Sequence, residues 1–273
     1  MFSTEIMAHP QQTTERLRVL NLDSMQEVAT VSHLSASEII AASIVGTSES
    51  KVVFGRDDGT VAIWDFIAGS AEPSSVTALR DGGHRESVID AKTSEDGKTA
   101  LTCSDDCELK LWDLRSHRCV RTLSGHGASI GACDMDAAAR VVVSGDGNGD
   151  LRTWDLGSGR YIAKWKENGC AVASICMHSS GRLFITADFT GRVCTWLDVD
   201  RSRPLPPELQ PEGGPSGLIA LWQPQRLSAE DMSPNVMPDL DEFDLYCTGD
   251  LSLVMMSQSD WGASNLVRMW QAK

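Results

Sequence analysis

A tryptophan-centred segment recurs along the chain at nearly constant intervals. Apolar and polar residues alternate just before each tryptophan, which is the period of a half-buried β-strand. A turn precedes the first four segments, and another apolar strand precedes that turn, so the repeated unit is a β-hairpin. The tryptophans of the series are Trp64, Trp112, Trp154, Trp196 and Trp270. Successive intervals of 48, 42, 42 and 74 residues predict an all-β fold built by repetition.

The charge balance narrows the classes of partner. The 273 residues include 24 Lys and Arg against 38 Asp and Glu, a formal net charge of −14. Nucleic acids and anionic membranes bind through clustered cations, so we expect neither as a partner. No apolar run approaches the roughly 20 residues of a membrane span, and the first residues lack a secretory pattern. The predicted location is the cytoplasm, with the nucleus as the alternative.

The sequence offers no motif for catalysis or metal binding. The eight cysteines contain no CxxC pair, which predicts free thiols rather than a zinc site. The segment GDGNGDL begins like a calcium loop, but Leu151 and Gly157 stand where an EF-hand requires Gly and Glu. Phosphate-binding, serine-nucleophile and zinc-protease motifs are also missing. We therefore expect no cofactor, no metal and no enzymatic activity.

The repeated segments resemble WD40 repeats, which build β-propellers from four-stranded sheets called blades. The second repeat shows the pattern most fully, from its Gly-His opening to its Trp-Asp ending. The resemblance implies a buried, hydrogen-bonded tetrad whose members are His84, Ser104, Asp106 and Trp112. Buried polar groups that satisfy one another hold a structure together, so the predicted role of this tetrad is structural rather than catalytic.

The third repeat departs from this pattern near its turn. His126 and Trp154 match the family positions. Asn148 stands at the position of the turn aspartate, and Asp146 stands at the position of the serine. The resemblance therefore predicts an altered tetrad in this repeat.

The remaining repeats match less fully. The first repeat has Asp58 and Trp64, but Arg56 occupies the position of a small hydroxyl residue. The fourth repeat ends in Trp196 and the last in Trp270, and neither has an aspartate after its tryptophan.

The predicted organisation is one propeller with a tail and one insert. Its parts are a flexible tail at 1–16, N-terminal strands plus four blades at 17–200, a proline-rich acidic loop at 201–239 and a last blade at 240–273. Residues 26–32 are predicted to complete the last blade, which would leave no exposed sheet edge. GLIALW (217–222) reads as one strand inside the loop.

The number of blades is less than the family most often has. Five to six recognisable four-stranded blades are predicted, against the usual seven. A small ring closed by its own ends, a fragment of a longer propeller and an open ring completed by a partner all remain as interpretations.

A rigid ring without catalytic residues is suited to binding peptides or other proteins, as a scaffold or adaptor in a multiprotein complex. In the family, partners contact the residue before the turn aspartate and residues just after the Gly-His opening. At the matching positions, the predicted partner-binding face comprises Asp57, Ser87, Ile89, Asp105, Ser129 and Phe189. The two aspartates favour a basic partner segment.

The motif Trp112-Asp113-Leu114-Arg115 indicates a sharper alternative. It matches the WDxR pattern of propellers that serve as substrate receptors of cullin-type ubiquitin ligases, in which the arginine faces an adaptor. The third repeat has Gly157 at the matching position, so the motif is not continued there. Arg115 is the predicted adaptor contact under this interpretation. A further alternative is an open or truncated propeller subunit that a partner completes.

Overall fold

The structure is a computed structural model, and it describes residues 2–9, 12–21, 26–32, 37–46, 50–66, 75–166, 170–178, 181, 183–189, 193–197, 217–222, 242–247, 253–259 and 266–271. Every regular element within these ranges is a β-strand. The strands form six antiparallel sheets, each made from strands that are consecutive in the chain.

The N-terminal sheet contains β1 (Phe2–His9), β2 (Gln12–Asn21) and β3 (Gln26–Ser32). The first blade contains β4 (Ile39–Ile44), β5 (Lys51–Arg56), β6 (Val61–Asp65) and β7 (Val76–Ala78). The second contains β8 (Val88–Thr93), β9 (Thr99–Ser104), β10 (Glu108–Asp113) and β11 (Arg118–Ser124).

The third blade contains β12 (Ile130–Met135), β13 (Val141–Asp146), β14 (Asp150–Asp155) and β15 (Arg160–Lys166). The fourth contains β16 (Val172–Met177), β17 (Leu183–Asp188), β18 (Val193–Leu197) and β19 (Gly217–Trp222). The C-terminal sheet contains β20 (Glu242–Cys247), β21 (Leu253–Ser259) and β22 (Leu266–Gln271).

The sheets are arranged as a β-propeller, as predicted. The first strands of successive blades lie side by side: β4 next to β8, β8 next to β12, and β12 next to β16. Four of the sheets are complete four-stranded blades, and the N-terminal and C-terminal sheets have three strands each. The predicted propeller fold is therefore confirmed, with four well-defined four-stranded blades among the described residues.

The hydrophobic core lies between neighbouring sheets. Trp64 packs with Leu17 and Val19 of the N-terminal sheet, and Trp112 packs with Val53 and Ile63 of the first blade. The tryptophans of the third and fourth blades likewise join clusters that contain residues of the blade before. Each of these four tryptophans therefore faces the preceding sheet, and the repeated hydrophobic contacts stabilise each of these boundaries between sheets.

Three segments of the predicted organisation lie among the described residues. Residues 2–9 lie in the range expected to be a flexible tail, and they form a strand that pairs with residues 12–21. Residues 26–32 pair with β2 in the N-terminal sheet. Residues 217–222 pair with β18 and form the fourth strand of the fourth blade, because this stretch is apolar and free of proline. The rest of 201–239 lies outside the described residues, and the division into domains stays a prediction.

Most cysteines whose side chains the structure describes are free thiols. The free ones are Cys103, Cys107, Cys119, Cys133, Cys170 and Cys194. Cys176 is disulfide-bonded, so the prediction of free thiols is wrong for this residue. No helix with the length and apolar character of a membrane span occurs in the part of the chain that the structure describes.

Candidate functional site

A chain of hydrogen bonds runs through the second blade from its tryptophan to its turn. The indole Nε1–H of Trp112 donates to Thr102 Oγ1 at 2.9 Å. Thr102 Oγ1 lies 2.8 Å from His84 Nε2, and His84 Nδ1 lies 3.0 Å from Asp106 Oδ2. Since indole can only donate and carboxylate can only accept, the threonine hydroxyl donates to Nε2 and Nδ1–H donates to Asp106. Every polar side chain in this network therefore has a hydrogen-bond partner.

The surroundings of this network favour a neutral His84 and a charged Asp106. Burial lowers the pKa of His84, and the opposing charge of Asp106 does not overcome that effect. Burial alone would raise the pKa of Asp106, but hydrogen bonds from the Arg85 backbone and from His84 outweigh it and lower the pKa. At neutral pH, a neutral imidazole thus donates a hydrogen bond to a charged carboxylate, and this arrangement suits a structural role.

The hydroxyl member of this network is Thr102. The prediction that Ser104 belongs to the tetrad was therefore wrong. Trp112 lies directly opposite Ala100 in the β9–β10 pair, which makes Thr102 its diagonal neighbour on the same face. Ser104 is two residues further along β9 and out of reach of the indole. Its hydroxyl donates to the Glu86 carbonyl at 3.1 Å and accepts the Asp106 N–H at 3.1 Å, so it shapes the turn.

The third blade has the same network with its aspartate in another position. Trp154 Nε1–H donates to Ser144 Oγ at 2.8 Å, and Ser144 Oγ lies 2.7 Å from His126 Nε2. His126 Nδ1 lies 2.9 Å from Asp146 Oδ2. Asp146 and Asn148 thus stand at the positions of Ser104 and Asp106, as predicted, but Asp146 rather than the turn residue supplies the carboxylate, and Ser144 supplies the hydroxyl. Asp146 ends β13 on the same face as Ser144, which brings its carboxylate to the imidazole.

The fourth blade keeps part of the network. Trp196 Nε1–H donates to Thr186 Oγ1 at 2.9 Å, and the buried Asp188 stands at the position of Asp146. The residue at the position of the histidine lies outside the described residues. The hydroxyl stands ten residues before the tryptophan in three blades, and this constant offset is the signal that the sequence analysis missed.

The first blade lacks the network. Phe54 occupies the position of Thr102, and among the described residues no acceptor lies within hydrogen-bond reach of the Trp64 N–H. The Arg56 guanidinium lies 5.0 Å from the Phe54 ring centre, a cation–π arrangement. Asp58 accepts the hydroxyl of Ser37 at 2.6 Å instead of facing an imidazole. The backbone of Trp270 lies in β22 opposite Val254.

Most residues of the predicted partner-binding face come together across the first three blades. The Ser87 hydroxyl donates to the carbonyl of Asp57 at 3.2 Å, which joins the second blade to the first. The Asp105 N–H donates to the Ser87 carbonyl at 3.1 Å within the second blade. The Ser129 hydroxyl donates to Asp105 Oδ1 and joins the third blade to the second. These four residues form one hydrogen-bonded path, which we call the Asp57–Ser129 path.

The other two predicted residues of this face differ from each other. Phe189 holds the position of Asp105 in the fourth blade, where its N–H donates to the Ala171 carbonyl at 3.3 Å, and its side chain is 41% exposed. Ile89 is half-buried and packs against the core between the second and third blades. Phe189 therefore offers more apolar surface than Ile89 does.

The surface around the path is acidic. Glu38, Asp58 and Glu86 are exposed near it, with Arg56 and Arg85 as the neighbouring cations. The Glu38 N–H donates to Asp57 Oδ1 at 2.9 Å and fixes the direction of that carboxylate. Within the described ranges, no three His, Cys, Asp or Glu side chains converge as a metal-binding group.

Arg115 lies at the other end of β10 from this surface. It is exposed in the turn between β10 and β11, where its backbone N–H donates to Asp113 Oδ1 at 2.9 Å. A strand of six residues spans about 20 Å, so Arg115 and Asp105 belong to opposite faces of the ring.

Comparisons with known proteins agree with this architecture. The family described as "WD domain, G-beta repeat" matches residues 74–113 and 117–155, which are the second and third repeats. Residues 74–113 and 117–155 of the chain are therefore WD40 repeats.

Similar curated proteins share only part of their length with the chain. The probable E3 ubiquitin ligase complex SCF subunit sconB of Talaromyces stipitatus is 42% identical over 22% of this chain and 8% of the relative. Nuclear distribution protein nudF 1 of Talaromyces marneffei is 34% identical over 30% of this chain and 17% of the relative. Eukaryotic translation initiation factor 3 subunit I of Anopheles gambiae is 27% identical over 39% and 31%. The chain thus spans less than one third of each of these relatives.

Proposed function

We propose that this protein is a non-catalytic scaffold that binds basic segments of partner proteins on the face that carries the Asp57–Ser129 path. WD40-repeat proteins act as scaffolds or adaptors, and the relatives include subunits of multiprotein complexes. A cytoplasmic or nuclear location is part of this proposal.

The observation that carries the proposal is the fixed direction of two carboxylates on one face, the exposed Asp57 and the half-buried Asp105. One oxygen of Asp57 is held by a backbone N–H, and one oxygen of Asp105 is held by a serine hydroxyl. A held carboxylate loses little side-chain freedom when a lysine or arginine binds to its other oxygen. Neighbouring acidic residues attract such a cation and favour it over an anionic partner.

Quantitative affinity capture tests this function with the full tagged chain in lysate of its own cells. Asp57→Asn and Asp105→Asn keep one acceptor oxygen each but remove the charge. Glu95→Gln is the matched control, because Glu95 is exposed in the turn between β8 and β9 at the opposite face. We expect the two aspartate variants to lose a common set of partners that Glu95→Gln retains. Identical recovery by all three variants would contradict binding on this face.

A second candidate function rests on the exposed position of Arg115. A substrate receptor of a cullin-type ubiquitin ligase would present this arginine to an adaptor, and one relative bears the name of a ubiquitin ligase complex subunit. Arg115→Ala should then abolish recovery of ligase components, whereas Arg160→Ala, an exposed arginine of the next blade, should not. Recovery that Arg115→Ala leaves unchanged would remove this candidate.

A further inference from the structure

The outer edge of the second and third blades carries a row of arginines on the face of the ring opposite the Asp57–Ser129 path. Segments 79–82, 113–121 and 155–161 contain five arginines and three aspartates, in a chain whose formal net charge is −14. We call this surface the arginine rim, and its arginines are Arg80, Arg115, Arg118, Arg121 and Arg160. All but the half-buried Arg121 are exposed. The rim is therefore a local excess of positive charge on an acidic protein.

Direct contacts make the arginine rim continuous from the first blade to the third. Arg80, which follows β7, and Arg118, which begins β11, are paired by a parallel bridge between their backbones. Further along β11, the Arg121 guanidinium donates to the Gly157 carbonyl at 3.1 Å and so reaches the turn between β14 and β15. Arg160 begins β15 directly after this turn. The positive charges therefore follow one another along neighbouring outer strands.

Most of the positive charge of the rim is not neutralised by the chain itself. Arg118 pairs with Asp81 at 3.2 Å, but both side chains are more than half exposed, so this pair contributes little. Within the part of the chain that the structure describes, no carboxylate forms an ion pair with the other four arginines. Asp113 and Asp155 instead accept backbone N–H groups of their own turns, at 2.9 Å and 2.8 Å. The rim can therefore accept carboxylates from another molecule.

Two exposed apolar side chains lie in the same rim. Val120 is 54% exposed and Tyr161 is 61% exposed, which makes them the two most exposed large apolar side chains among the described residues. Tyr161 lies opposite Trp154 with the rings 6.5 Å apart, so it shares the face that is turned toward the second blade. Arg121 lies opposite Leu111, on the face of β11 that is turned toward the third blade. Tyr161 and Arg121 therefore line one blade boundary from its two sides.

We propose that the arginine rim binds an acidic segment of a partner protein that also presents an apolar side chain to Tyr161. The carboxylates of this segment pair with the arginines that lack an internal partner, and its apolar side chain covers Tyr161 and Val120. Arginine and tyrosine are among the residue types that most often dominate the binding energy of protein interfaces. The site lies on the opposite face from the surface proposed above for basic segments, so the two proposals are independent. Their opposite charges direct different partners to the two faces.

Fluorescence anisotropy of labelled peptides on the full chain tests the proposal. The probe is a peptide of alternating aspartate and leucine, and a comparison peptide has serine in place of every leucine. The aspartate–leucine peptide should bind about fivefold more tightly than the aspartate–serine peptide, and added salt should weaken its binding. Equal affinities, or no saturable binding of the aspartate–leucine peptide, would overturn the proposal. A lysine–leucine peptide reports separately on the face of the Asp57–Ser129 path.

Variants of exposed rim residues locate the binding. Arg118→Gln should weaken binding of the aspartate–leucine peptide about two- to fivefold, and Tyr161→Ser about fivefold. Arg85→Gln is the matched control, because Arg85 is an exposed arginine on the opposite face, and it should leave the affinity unchanged. An equal loss in Arg85→Gln would show unspecific attraction to any arginine and would overturn the site. Self-association of the unaltered chain that Arg118→Gln abolishes in sedimentation would make a second copy the occupant, which also contradicts the proposal.

Discussion

His126 Nδ1 lies 2.9 Å from Asp146 Oδ2 in the third blade. In the second blade the carboxylate belongs to the turn residue Asp106, but the corresponding turn residue of the third blade is Asn148. The carboxylate has moved two positions along the chain, and it still reaches the same ring nitrogen. Its second oxygen accepts the N–H groups of Asn148 and Asp150 at 3.0 Å each. One carboxylate therefore satisfies the buried imidazole and closes the turn.

Asp146→Asn should lower the free energy of unfolding by about 1–3 kcal/mol, because a charge-assisted hydrogen bond to a buried imidazole is lost. Asn148→Ala is the control, since Asn148 is exposed and donates its backbone N–H, which alanine retains. It should change the free energy by less than about 0.5 kcal/mol. Urea unfolding followed by tryptophan fluorescence measures both. Equal losses would show that Asp146 is not the carboxylate of this network.

Replacement of each tryptophan by phenylalanine should separate the blades that have the network from the one that lacks it. Trp112→Phe and Trp154→Phe remove an indole donor that a hydroxyl accepts, whereas the Trp64 N–H has no described acceptor. All three variants lose similar packing. We therefore expect Trp64→Phe to cost about 1 kcal/mol less than the other two in the same unfolding measurement. A larger loss for Trp64→Phe would contradict the prediction.

The histidine networks should make stability fall in mild acid. Burial lowers the pKa of both His84 and His126 below 6.5, so the unfolded chain binds more protons than the folded one just below that pH. Stability from these groups is present above pH 6.5 and is lost as pH falls through the folded pKa values. NMR titration of the two imidazoles measures those values directly. Midpoints at or above 6.5 would reverse the sign of the prediction.

Gly145→Ala should destabilise the boundary between the third and fourth blades. An added Cβ would lie 2.6 Å from the Cβ of Val172, closer than real side chains approach. Overpacking of this kind costs about 1–3 kcal/mol. Gly127→Ala is the matched control, because nothing lies within 4 Å of a Cβ at that position. Thermal unfolding gives the melting temperatures of both variants. An unchanged melting temperature for Gly145→Ala would show that the two blades move apart enough to accommodate the added methyl group.

The repeated hairpins were predictable because strand alternation and turn composition are local properties of the sequence. The network partners were harder to assign. Thr102 and Ser104 lie on the same face of β9, and alternation alone does not distinguish them. The register that places Trp112 opposite Ala100 makes Thr102 the diagonal neighbour. The link from Ser129 to Asp105 depends on the spacing between blades, which no local pattern encodes.

Each complete network lies within a single repeat, from His84 to Trp112 in the second blade and from His126 to Trp154 in the third. All donors and acceptors of one network are therefore translated before the next repeat is synthesised. A gene duplication that copies one repeat also copies its network intact. The shift of the aspartate in the third blade accordingly leaves the second blade unchanged, and the repeats of this chain are able to diverge one at a time.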